Sequence, residues 1–114
     1  MQRNKKLSGP VIAVACYKPR SGKSKQLLKC VKDHLPILRS QKLVTPRKSI
    51  AMQSTNGTIV EIFEWKSAKS INDAHRNPAV LKLWERYDAC CTFVQYSGLP
   101  EAKERFANFS PLNL

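Results

Sequence analysis

From Gly57 to Trp84 the hydrophobic pattern changes period once and breaks once, and this order restricts the fold more than any other stretch. Ile59, Val60, Ile62 and Phe63 are β-branched and aromatic types suited to a pleated, buried surface. The Asn56-Gly57 turn signal opens this strand, and Lys66-Ser67 closes it. Ser67 then caps a short helix whose Ile71, Ala74 and His75 share one face. Asn77-Pro78 reads as an N-cap followed by proline at the first helical position, where its missing N–H costs nothing. Val80, Leu81, Leu83, Trp84 and Tyr87 give the second helix its apolar stripe.

The rest of the chain supplies the matching front half. Pro10 to Lys18 is an almost continuous apolar strand, and Lys25 to Arg39 is a helix with Leu27, Leu28, Val31, Leu35 and Leu38 inward. Pro36 is expected to kink or shorten its last turn. His34, beside Asp33 near the helix end, reads as a surface residue. Val44 to Ser54 forms a second strand with an irregular entry at Pro46, and Thr92 to Tyr96 a fourth. The order βαββαβ predicts an α+β, ferredoxin-like antiparallel sheet with both helices on one face. Residues 1–9 form a basic tail, 10–98 the domain, and 99–114 a C-terminal helix or arm whose Phe106 and Phe109 should dock, on this chain or on a partner subunit.

Both alternating sets of the strands are apolar. Val11, Ala13, Ala15 and Tyr17 lie on one side of the first strand, and Ile12, Val14 and Cys16 on the other. Ile59, Phe63 and Trp65 oppose Val60 and Ile62 in the third. Two helices cover one face, so a second layer has to cover the other. A partner sheet in a homodimer would do this.

The quoted stretch resembles the antibiotic-biosynthesis-monooxygenase-like domains. The matching residues are Glu64-Trp65-Lys66-Ser67, Ala74-His75, Asn77-Pro78-Ala79-Val80 and Leu83-Trp84. The resemblance implies a dimeric α+β barrel, in which ferredoxin-like subunits pair their sheets. It also implies a pocket between sheet and helices for a small aromatic substrate, lined here by Trp65, Ile71, Asn72, Trp84 and Tyr87. His75 would be its general base. Haem-degrading members use an asparagine on the first strand, a tryptophan in the first helical segment and a histidine in the second. Here the first strand has no asparagine, His75 stands where the tryptophan is expected, and Trp84 lies near the histidine position. No cofactor is therefore expected. Members whose substrate itself supplies electrons to oxygen are the ones this chain can follow.

Charge points to a second kind of partner. Residues 1–50 hold thirteen lysines and arginines against one acid, Asp33, whereas residues 51–114 hold seven of each. Lys25, Lys29, Lys32 and Arg39 make a basic ridge on the first helix. The alternative reading is thus a non-catalytic dimer that binds an anionic partner through its basic half, either nucleic acid without sequence preference or an acidic protein or metabolite. Base stacking of the RNA-recognition type is not expected, because Asn56 to Val60 lacks the aromatics it needs. Gly22-Lys23-Ser24 sits where a phosphate loop would, but Tyr17 occupies the position of that motif's first glycine. It reads as a turn glycine before a helix. Cys16, Cys30, Cys90 and Cys91 show no metal-ligand spacing, so no metal and reduced, partly buried thiols are expected. The apolar run Val11–Cys16 is too short for a signal or membrane segment, which favours a cytoplasmic protein.

Overall fold

The computed structural model describes residues 8–114; most of the basic tail lies outside the described residues. The two longest strands, β1 (Val11–Pro19) and β3 (Ile59–Trp65), pair antiparallel from Val11 opposite Trp65 to Tyr17 opposite Ile59. β2 (Ile50–Gln53) joins the free edge of β3, and β4 (Cys91–Val94) joins that of β1. A fifth strand, β5 (Ser110–Leu112), extends β2, giving the order β4-β1-β3-β2-β5. The fold is the expected α+β, ferredoxin-like one, with a strand added by the C-terminal arm.

Three helices fill the crossovers: α1 (Ser24–Ser40), α2 (Ala68–Ala74) and α3 (Pro78–Cys90). The turn before α1 uses Gly22 at φ 73°, which glycine adopts without a Cβ clash. The capping chemistry is that expected. Ser67 Oγ accepts from the Ser70 N–H, and Asn77 Oδ1 accepts from the N–H groups of Ala79 and Val80. α1 runs to Ser40 with Pro36 inside it, so the proline does not shorten the helix. No helix of the described residues is long and apolar enough to cross a membrane.

One face of the sheet packs on the helices. Tyr17, Ile59, Leu27, Val31, Leu83 and Tyr87 form one core cluster, and Phe63, Trp65, Leu35, Leu38 and Val80 another. The C-terminal arm covers part of the opposite face, with Leu99 and Phe109 lying over Cys16 and Val60. Beyond the arm that face stays open, and Ile12 and Val14 are each 52% exposed. Within a single chain β1 is therefore not covered on both sides.

Two other expectations need correction. His34 is buried, because it falls three residues after Val31 and four before Leu38, inside the apolar stripe of α1. The second strand is Ile50–Gln53, with Val44 making only an isolated bridge to Trp65. Between them Pro46 has no N–H to give a ladder, and Thr45 and Arg47 hold Glu64 through their side chains at 2.8 and 3.1 Å instead. Of the two forms expected for residues 99–114 the chain takes the arm, with a 3-10 turn at Pro100–Lys103 and then β5. Phe109 docks within the chain, and Phe106 stays 78% exposed in it.

Candidate active site

Alternation along β3 sends Ile59, Glu61, Phe63 and Trp65 toward the helices. Glu61 is thus a carboxylate on an otherwise apolar face, and it is buried. Burying such a group without partners costs several kcal/mol, so donors must reach it. Two do. The Tyr17 hydroxyl, on the neighbouring strand, donates to Glu61 Oε1 at 2.8 Å. From α1 above, His34 places Nδ1 2.9 Å from the same oxygen. An ionised carboxylate only accepts, so Nδ1 is the protonated nitrogen, and in the neutral ring Nε2 carries the lone pair.

Aromatic rings fix the imidazole. The Phe63 and Tyr87 rings stand nearly perpendicular to it, with centroids at 5.0 and 5.7 Å. Tyr87 also lies 4.7 Å from the Tyr17 ring. Burial, reinforced by the charge of Glu61, holds both phenols protonated far above their ordinary range. Tyr17 acts here as a hydrogen-bond donor and Tyr87 as packing surface. Beside this cluster lies a cavity of about 250 Å³, walled by Phe63, Trp65, Trp84, Tyr87 and Phe93, with His34 as its one titratable imidazole. His34 lines this cavity, and its Nε2 has no protein partner among the described residues. The Tyr87 hydroxyl, by contrast, is sealed and unpartnered.

The residues expected from the sequence divide. Trp65, Trp84 and Tyr87 line the cavity. Ile71, Asn72 and His75 are not among its lining residues. A general-base role for His75 requires that the ring face a cavity. Instead the ring is exposed, its Nδ1 lies 2.9 Å from the Ile71 carbonyl, and its edge packs 5.1 Å from Trp84. Trp84 therefore touches both the cavity and His75. The sequence reading missed Tyr17, His34 and Glu61. A charged residue at an inward position of β3 and a histidine within the leucine stripe of α1 were the available signals.

The basic ridge also splits. Lys25 and Lys29 flank a cleft between α1 and α3, joined by Lys23 and Arg86. Lys32 and Arg39 flank a different groove, between α1 and the β2 edge, joined by Lys48. Lys29 and Arg86 are both paired to Asp33, at 3.0 and 2.9 Å, which holds its carboxyl below the usual range.

No protein-family model matches the chain, and no curated protein does. Among solved structures it is similar to SnoaB, a cofactor-independent oxygenase from Streptomyces nogalater. The TM-score is 0.64 at 13% identity, over 76% of this chain and 88% of that one. The likeness is one of fold, spread over most of both chains.

Proposed function

We propose that the chain is an antibiotic-biosynthesis-monooxygenase-like oxygenase that acts, without a cofactor, on a small neutral phenol. The observation that carries this reading is the buried Tyr17–Glu61–His34 cluster, whose imidazole lines an aromatic-walled cavity. In this reading His34 Nε2 takes the phenolic proton, and Glu61 stabilises the imidazolium that forms. The electron-rich phenolate then reduces oxygen. For a methylene conjugated to the phenol, the products are a carbonyl and water. Two C–H bonds are lost, one oxygen atom enters the product, and the substrate supplies all four electrons. At about 250 Å³ the cavity lies below the ~300–1,000 Å³ of drug-sized pockets, which favours one or two rings. Its walls carry no lysine, arginine or acid, which favours an uncharged ligand. The open sheet face around Ile12 and Val14 supports a homodimer, with the partner's sheet covering it.

The test is oxygen consumption with a panel of one- and two-ring phenols and no added flavin or metal. Phenol-dependent uptake that His34→Gln abolishes supports the reading. Uptake unchanged in that variant, or none across the panel, overturns it.

A second reading keeps the dimer and assigns the basic half to a polyanion. Lys32, Arg39 and Lys48 converge on one groove of about 300 Å³ with no acidic side chain in its wall. Binding to DNA or RNA should weaken steeply with salt. No binding at low salt would remove this reading.

A further inference from the structure

The four cysteines are free and buried, and two of them meet across the helical layer. Cys30 Sγ on α1 lies 3.9 Å from Cys90 Sγ on α3, sixty residues away in sequence. Both line the α1–α3 cleft of about 470 Å³, whose mouth carries Lys23, Lys25, Lys29 and Arg86. Cys30 precedes His34 by one helical turn, and Cys90 follows Tyr87 by a similar step. The sulfur contact thus lies one turn from the His34–Tyr87 ring contact, and both bridge the same two helices.

We propose that Cys30 and Cys90 are a modification site: a dithiol that a small anionic disulfide entering this cleft oxidises to an intrachain bond, fastening α1 to α3. The cations at the mouth attract the reagent, and the apolar floor presents the sulfurs. One thiolate attacks the reagent, forming a mixed disulfide and expelling one thiolate. The other cysteine, as its thiolate, then attacks the protein sulfur and expels the second. The net change is two protein thiols plus one disulfide going to one protein disulfide plus two small thiols. Closure brings the sulfurs from 3.9 Å to the ~2.05 Å of a disulfide, a short approach shared between two helices. Burial, then the neighbouring Cys90, pushes the Cys30 thiol up to about 11, while Arg86 pulls the other way. Closure at neutral pH is therefore slow without a reagent held in the cleft. The proposal is independent of the oxygenase reading.

The experiment treats the intact protein with glutathione disulfide or a neutral hydroxyethyl disulfide, at low and high salt. Alkylation and peptide mapping follow. The expected product is a Cys30–Cys90 peptide pair, formed faster with the anionic reagent, with that advantage lost at high salt. Cys30→Ser and Cys90→Ser should each stop at a glutathione adduct on the remaining cysteine. If either variant fails to fold, mapping of the wild-type chain decides alone. A Cys90–Cys91 bridge, an intermolecular bond, a persistent mixed disulfide, unreacted thiols, or equal rates with both reagents would each overturn the proposal.

Discussion

His34 Nδ1 and Glu61 Oε1 lie 2.9 Å apart in the buried layer between α1 and the sheet, so a carboxylate fixes which imidazole nitrogen carries the proton. That relationship separates the protein's two histidines. His34→Ala should lower phenol-dependent turnover by about 10²–10⁴-fold, the usual contribution of general-base assistance. His75→Ala removes an exposed ring with one backbone hydrogen bond, so stability should move by about 1 kcal/mol or less. Its turnover should stay within a few-fold of wild type. Steady-state oxygen uptake and urea melts on both variants check this.

Glu61 tests the orienting role. Glu61→Gln keeps the shape but removes the charge that favours the imidazolium, so turnover should fall while the thermal midpoint changes little. Glu61→Leu leaves the Tyr17 hydroxyl and His34 Nδ1 without an acceptor, at about 1–3 kcal/mol for each orphaned donor. Chemical denaturation of the pair measures the difference.

Glu101 fastens the C-terminal arm to the β2–β3 turn. It accepts from the Thr55 N–H at 2.8 Å and from Ser54 Oγ at 2.7 Å, and these bonds lower its carboxyl to about 2. A carboxyl depressed in the folded state adds stability above its unfolded value of about 4.3, and this is lost as pH falls through the folded one. Stability should therefore decline between pH ~4.5 and ~2, with a shallower decline in Glu101→Gln. Urea midpoints across that range provide the comparison.

The open sheet face predicts association. Val14→Lys places a charge amid Ile12, Ile50 and Ile62, which a partner sheet could not bury unpaired. Sedimentation at micromolar concentration should give a dimer for wild type and a monomer for the variant. A wild-type monomer would contradict the barrel arrangement.

The fold was legible because the third strand, the Asn77-Pro78 break and the stripe of α3 are all local signals. Trp65, Trp84 and Tyr87 were legible as cavity residues for the same reason, being large aromatics at inward positions. His34 and Glu61 each interrupt an apolar pattern, but neither interruption names its partner. Their partnership links residues 27 positions apart, and only the register of β3 under α1 brings them together. His75 drew attention through its neighbours in sequence, but its ring packs on Trp84 and is not among the residues that line the cavity. β5 was hidden because three residues containing Pro111 make a strand only when an edge such as β2 is there to pair with.

Long-range proton–nitrogen NMR of the two histidine rings, with and without 1-naphthol as the phenol probe, tests the central claim most directly. In the free protein the neutral His34 ring should carry its proton on Nδ1 and its lone pair on Nε2, and added phenol should perturb Nε2 of His34 while leaving His75 unmoved. A proton found on Nε2 of neutral His34, or a phenol response confined to His75, would contradict the account.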